Sequence, residues 1–492
     1  MVVPQLLLPL LGLLLLALWG LLLAHAPSPD PHWPPGPRPL PFIGNLHQLR
    51  VAQQDRSLLE LSRRYGPVFT VQLGQQKMVV LAGYHAVKQA LVGSGWALAD
   101  RPPIPIFQSI QGGRGIFFSS GPGWVAARQL TVRTLHRLGY GRTPGALKVL
   151  QELRCLQDQL DSYRGHPFPL SVLGWAPCNV TFTLLFGRRF DYGDPVFVSL
   201  LGLIEEVMVL LGSPCVQLFN LFPWLGTLLG LHRPVLRRVE EIRAILRDLL
   251  PTRPPSSPPC SYLDALTQEA QLHPSSSEGQ LSEEDVVACA LDLLMAGTET
   301  TASTLQWAAL LMAQHLEVQG HVQEELDRVL GPGRPPRPED EQSLPYTSAV
   351  LHEVQRAITL LPHMPRCTTA PTLLGGYLLP KGTPVIPLLS SVLLDRTQWA
   401  TPDQFNPGHF LDAQGCFLKR EAFLPFSAGR RACVGERLAR TELFLLFSGL
   451  LQGFQLSPPP GLGPESLDTT PAPAFTMRPP AQALCALPRT QR

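Results

Sequence analysis

Phe426-Ser427-Ala428-Gly429-Arg430-Arg431-Ala432-Cys433-Val434-Gly435, followed at once by an amphipathic stretch from Glu436 to about Leu451, carries the strongest chemical signal in the chain. A thiol at the mouth of a helix faces the positive end of the helix dipole and its unpaired N–H groups, which favours the thiolate and so metal ligation. Gly429 lets the loop turn before the sulfur, and Gly435 lets backbone lie against a flat ligand. Phe426 covers one side of the sulfur, and Arg431 reaches an anionic group. The competing reading is a buried, inert cysteine.

A second candidate lies upstream. Ser282-Glu283-Glu284-Asp285 reads as a helix start, a capping serine with acids in the first turn. The helix runs to about Gln314, some ~48 Å at the usual rise, and so crosses the whole domain. At mid-length it carries Ala296-Gly297-Thr298-Glu299-Thr300-Thr301, where a glycine and β-branched residues weaken a helix and a function must compensate. Two helix-face pairs complete the set. Trp124 and Arg128, at i and i+4, point one way. Glu353 and Arg356, one turn apart, can form a charge-assisted pair. Neither spacing is diagnostic alone.

These residues need a large scaffold, and the 492-residue chain has the apolar material for it. A net charge of +2 with 16% charged residues gives no polyanion-binding surface and argues against nucleic acid. Nine cysteines without a C-x-x-C pair indicate reduced thiols rather than a disulfide framework. Prolines cluster at 27–41, 251–259, 332–338 and 458–480, which mark linkers and loops. Residues 2–24 carry no charge and are long enough to cross a bilayer, so 1–26 reads as a membrane anchor, with a cleaved signal peptide as the competing reading. The proline-dense 27–41 then serves as a stiff spacer that holds a body of residues 42–492 off the bilayer. The first basic residues, Arg38 and Arg50, place that body in the cytosol by the positive-inside rule. Val68–Leu73 and Lys77–Leu81 read as a hairpin. Helical periodicity then dominates to about 330, interrupted by an apolar-tipped loop over 101–123 that is suited to lining a site.

The spacing Phe-x-x-Gly-x-Arg-x-Cys-x-Gly resembles the haem-binding loop of the cytochrome P450 family. The anchor, the Pro34-Pro35-Gly36-Pro37 run and Ile43-Gly44-Asn45-Leu46 are similar to its microsomal members, family 2 and within it subfamily W. The resemblance covers nearly the whole chain. It implies a mainly α fold with a small β-rich lobe and an N-terminal transmembrane helix, and haem b ligated by the Cys433 thiolate. Arg101, Trp124, Arg128, His363 and Arg431 would then hold the haem carboxylates, with Phe426 and Gly435 against the ring. Glu299 would relay protons. Thr300 would bend its hydroxyl back to the Ala296 carbonyl, opening the helix beside the oxygen site.

Glu353 and Arg356 become a structural lock, with His409 standing where an arginine is usual. An imidazole offers fewer donors, so a weaker or water-assisted lock is expected. The implied substrate pocket draws on Ile104, Ile106, Phe107, Ile110, Phe117, Leu293, Ala296, Leu360, Leu361 and Phe475. The implied reaction is monooxygenation of lipophilic molecules: fatty-acyl lipids, retinoids or xenobiotics. Neither glycine-rich stretch, at 331–333 or 461–463, has the setting of a flavin or nicotinamide site, so electrons come from NADPH through a separate reductase, with a b-type cytochrome as a second expected partner. Arg133, Arg137, Arg437 and Arg440 would steer such a donor. A haem-thiolate isomerase or dehydratase of peroxides is disfavoured by the intact Glu299-Thr300 pair. A haem sensor leaves that pair and the apolar loop unexplained. The implied location is the endoplasmic reticulum membrane. Because few charges set orientation, a lumenal fraction glycosylated at Asn179, in Asn179-Val180-Thr181, is also an expectation.

Overall fold

The computed structural model describes residues 32–50, 53–140, 143–250, 258–272, 281–331, 333–472 and 474–489. The expected anchor at 1–26 lies outside the described residues. Ten longer helices organise the chain: α1 (Gln54–Tyr65), α2 (Gly121–Arg137), α3 (Thr143–Ser162), α4 (Trp175–Phe186), α5 (Pro195–Gly212), α6 (Arg233–Asp248), α7 (Glu283–Gln314), α8 (Leu316–Leu330), α9 (Pro345–Ile358) and α10 (Glu436–Gly453). A small sheet of β1 (Val68–Leu73), β2 (Gln76–Leu81), β3 (Arg366–Cys367) and β4 (Pro384–Pro387) forms the other lobe. The expected hairpin is present, and its second strand begins one residue early.

The long helix α7 starts as its sequence requires. Ser282 Oγ accepts from the Asp285 N–H at 3.2 Å, and Asp285 Oδ2 accepts from the Ser282 N–H at 2.9 Å, a reciprocal capping box. Its C-terminal half is mostly apolar because it is buried among the turn at Leu170–Gly174, α9 and α10. Gly297 lets α4 cross: a Cβ there would meet Thr181 Oγ1 at 2.8 Å. A second apolar cluster joins α4, α5, α6 and the N-terminal half of α7. Among the described residues, one helix, α5, is long and apolar enough to cross a membrane. Phe197, Leu200 and Ile204 on its inner face are fully buried in that cluster, whereas Val198 and Val209 are exposed.

Strand pairing decides what faces the site. β2 runs parallel to β4, and β4 pairs antiparallel with β3, setting Arg366 opposite Val385. The Cys367 N–H donates to the Asp100 carbonyl at 2.8 Å, which brings Arg101 alongside Arg366. The proline link departs from expectation. From Trp33 onward it is seated on the sheet: the Thr70 N–H and hydroxyl donate to the carbonyls of Pro35 and Pro34, each at 2.8 Å. A Cβ on Gly36 would lie 2.1 Å from the Thr70 carbonyl oxygen, so glycine permits the contact. Pro34, Pro35 and Gly36 thus pack on the folded body; residues 27–31 of the expected spacer lie outside the described residues.

Candidate active site

The loop before α10 is built by two unusual backbone positions. Gly429 has φ +73°, and a Cβ there would lie 1.9 Å from the Leu91 carbonyl oxygen. Ser427 has φ +60°, and its Oγ accepts from Arg366 Nη2 at 3.1 Å. The Cys433 N–H donates to the Phe426 carbonyl at 3.0 Å and closes the loop. Cys433, Phe426 and Gly435 line a cavity with about 230 Å³ of room for water-sized molecules. The exposed surface of Cys433 faces this enclosed space rather than bulk solvent. Burial therefore pushes its thiol up, outweighing the N–H groups of Gly435 and Glu436 and the charge of Arg128. The helix start and Arg128 favour the thiolate, as the sequence suggests, while burial opposes it; a cationic metal partner would shift the balance toward the anion.

Four arginines converge on one side of the cavity: Arg101, Arg128, Arg366 and Arg431. Arg101 donates to the carbonyls of Phe117 (3.0 Å) and Pro365 (2.6 Å), Arg128 to Ala432 (2.6 Å), and Arg431 to Ala99 (2.6 Å). Among the described residues none of the four forms an ion pair with a carboxylate. Burial, and then their mutual repulsion, lowers Arg101 far below the usual guanidinium value, Arg366 to about 10 and Arg431 to about 9, although Asp100 offsets part of the last shift. Trp124 stacks under Arg431, 3.6 Å from guanidinium carbon to ring centroid, and its Nε1 is buried without a partner. At Gly435 a Cβ would meet nothing within 4 Å, leaving an open face above the backbone. A soft sulfur, an open face, unpaired cations and an orphaned indole donor fit a flat metal-bearing ring with anionic substituents.

Arg366 was not legible as a member of this set. The sequence points to His363 instead, but His363 is not on the cavity wall; its backbone bridges Leu388, and its Nδ1 is buried without a partner. A two-residue strand is too short for its inward face to be read from alternation.

The lock is closed. Glu353 and Arg356 are fully buried and joined at 2.7 Å through both carboxylate oxygens. Arg356 also donates to the carbonyls of Leu393, Pro402 and Gln404 at 2.8–2.9 Å. Both ring nitrogens of His409 have protein partners. The Thr401 N–H donates to its Nε2 at 3.2 Å, so the proton sits on Nδ1 and is given to Glu353 Oε2 at 3.1 Å. The expected weakness is offset by the Asn406 N–H, which donates to the other Glu353 oxygen at 2.8 Å.

On the opposite wall, Thr300 donates to the Ala296 carbonyl at 2.8 Å, as expected, yet α7 stays α-helical throughout. Glu299 does not line the cavity. Its Oε1 is taken by Thr476, Ser303 and Arg478. Of the expected pocket residues, Phe117, Leu293, Ala296, Leu360 and Leu361 are on the wall. Ile106 and Ile110 are buried in the neighbouring core, with Ile104 packed against it, because the segment carrying them folds as the helix Pro105–Gln111 rather than as an open loop. Phe107 stands behind the wall, stacked on Phe118 at 3.5 Å, and Phe475 meets Phe117 edge-on at 6.4 Å. A wall residue that the sequence did not disclose is Asp292. It holds the loop over the cavity by accepting from the N–H groups of Ile116 (2.7 Å) and Phe117 (3.0 Å) and from Gln111 (2.8 Å). Asn179 is fully buried and bonded to both the N–H and carbonyl of Phe190, so the folded protein has no room for a glycan there.

The family description Cytochrome P450 matches residues 34–486. The chain belongs to the cytochrome P450 family. It is 73% identical over 489 residues to cytochrome P450 2W1 of Homo sapiens, covering 98% of this chain and 99% of that one. It is 68% identical over 495 residues to cytochrome P450 2W1 of Mus musculus, covering 98% and 100%. Cytochrome P450 2K6 of Danio rerio is 41% identical over 458 residues, 92% of this chain and 90% of the relative. The chain is thus a family 2 P450, a monooxygenase that uses haem b. As in microsomal members, electrons reach it through a reductase, its substrates are lipophilic, and its family places it at the endoplasmic reticulum membrane.

Proposed function

We propose that this P450 hydroxylates fatty-acyl lipids, retinoids or apolar xenobiotics, using electrons from NADPH-cytochrome P450 reductase, with a b-type cytochrome as auxiliary donor. The observation that carries the reading is the apolar part of the cavity lining, Phe117, Leu293, Ala296, Leu360 and Leu361 beside Thr300, with the Asp292 carboxylate turned to the N–H groups of Ile116 and Phe117. Such a lining binds chiefly by burying apolar surface, which favours lipophilic substrates over polar ones. Arg101, Arg128, Arg366, Arg431 and Trp124 hold the haem carboxylates, and Cys433 ligates the iron. The bound haem supplies reductive activation of dioxygen, which places one oxygen atom in the substrate and the other in water. Thr300 and Glu299 are the proton-handling pair.

Exposed Arg133, Arg137 and Arg437 form the docking side for an acidic electron donor, whereas Arg440 is engaged by Glu436 and His352. Residues 1–26 anchor the protein with its body in the cytosol. Trp224, Leu228 and Leu229, more than half exposed after the helix Pro214–Leu221, rest on lipid together with Phe42.

The test is a reduced carbon monoxide difference spectrum followed by NADPH oxidation with reductase. The wild type shows a red-shifted Soret band; Cys433→Ser loses it together with turnover, and retention of both would overturn the ligand. Thr300→Ala keeps the band but releases more hydrogen peroxide per NADPH; an unchanged ratio removes Thr300 from proton handling.

A further inference from the structure

Glu299 is an acid held away from the cavity it is meant to serve. Its Oε1 accepts from Thr476 Oγ1 at 2.7 Å, from Ser303 Oγ at 3.2 Å and from Arg478 Nε at 3.2 Å. Arg478 is shared, because its Nη2 reaches Glu205 Oε1 on α5 at 3.1 Å. One guanidinium thus bridges a buried carboxylate on α7 and an exposed one on α5.

The segment 474–478 that carries Arg478 is tied to three walls. The Phe475 N–H donates to the Met208 carbonyl on α5 at 3.0 Å, and the Met477 N–H to the Leu360 carbonyl on the cavity wall at 2.9 Å. The Met477 carbonyl accepts from Trp307 Nε1 on α7 at 2.7 Å. Gly212, at the end of α5, lies so close to Ala474 that a Cβ would approach its carbonyl carbon at 2.4 Å. Because α5 also packs in the apolar cluster that contains Leu293 and Phe475, a shift of α5 reaches Arg478 through both its backbone and its ion pair.

We propose that Arg478 is the positioning residue for Glu299, restraining the acid from the cavity, and that Glu205 makes this restraint depend on the position of α5. The inference rests on the proton-handling reading of Glu299. Two carboxylates share one guanidinium: without Glu205, Arg478 holds Glu299 more firmly, and without Arg478 the acid keeps only the Thr476 and Ser303 hydroxyls and turns more readily toward Thr300. The two losses act in opposite directions.

The experiment measures hydrogen peroxide released per NADPH, and the solvent deuterium isotope effect on turnover, in the full-length haem-loaded protein with reductase. Glu205→Gln raises the peroxide ratio and the isotope effect, and Arg478→Gln lowers both, each by roughly two- to fivefold, the scale of a partly exposed ion pair. Arg478→Lys, which keeps the charge, returns toward wild type. A merely structural role would raise the ratio in both Gln variants, and that result, or no change in either, overturns the proposal. If Arg478→Gln loses the carbon monoxide spectrum, Glu205→Gln decides alone: a rise in both readouts supports the proposal and an unchanged isotope effect overturns it. Thr300→Ala separates the two readings, because failure of that variant to raise peroxide removes the proton-handling function itself, whereas its success with inert Glu205 and Arg478 variants removes only the restraint.

Discussion

Arg356 and the four cavity arginines are both desolvated, but only Arg356 is complete. Its five donors meet five acceptors, two of them on the Glu353 carboxylate, so charge and hydrogen bonding close within the protein. Arg101, Arg128, Arg366 and Arg431 meet carbonyls and one hydroxyl, and they repel one another. The first arrangement is a structural element. The second destabilises the chain that carries it and is justified by an anionic ligand, because a buried cation without a counter-charge is costly. Burial of an arginine therefore says little about its role; the sign of what surrounds it says a great deal.

The comparison breaks most sharply if the lock is opened. Glu353→Gln leaves the Arg356 charge buried without its carboxylate, a loss of about 3–5 kcal/mol. Thermal unfolding of the variant should begin far below wild type with loss of the haem spectrum; an unaltered midpoint would mean that the carbonyls alone suffice. A smaller effect, with opposite signs in two states, is expected for Arg366→Met. Removing one of four repelling cations stabilises the haem-free protein, while transfer of haem from the variant to apomyoglobin quickens by about tenfold, the scale of one charge-assisted hydrogen bond. Slower or unchanged transfer would take Arg366 out of the cradle.

The smallest effect sharpens the contrast with a carboxylate on the same wall. Burial raises Asp292 from 3.8 to about 6, so the folded protein holds that proton more tightly than the unfolded chain. Its contribution to stability is present below about pH 4 and is lost as pH rises through about 6. The melting temperature of wild type relative to Asp292→Asn should therefore fall between about pH 4 and pH 7. A constant difference would mean that Asp292 does not titrate in that window.

Much of the site was legible because it is local. The turn at Gly429, the cap at Ser282, the Thr300 hydroxyl on Ala296 and the Glu353–Arg356 pair each depend on residues within a few positions of one another. Even the lock's third member could be named, since His409 lies in a recognisable segment; what could not be read was that the Asn406 and Thr401 backbones would complete it. The sequon at Asn179 shows the opposite limit, a correct local pattern on the inner side of α4.

By itself, the sequence determined the thiolate loop, the long capped helix with its acid and alcohol, and a mainly helical body with a small sheet, because loop turns, helix caps and periodicity are set by neighbouring side chains and backbone. Tertiary structure alone decided which cations face the cavity and where the acid rests. Arg366 enters because Cys367 pairs with Asp100, and Glu299 is held back by Thr476, 177 residues away. Those contacts join separate elements, and which buried charges meet there depends on how the elements pack rather than on any spacing along the chain.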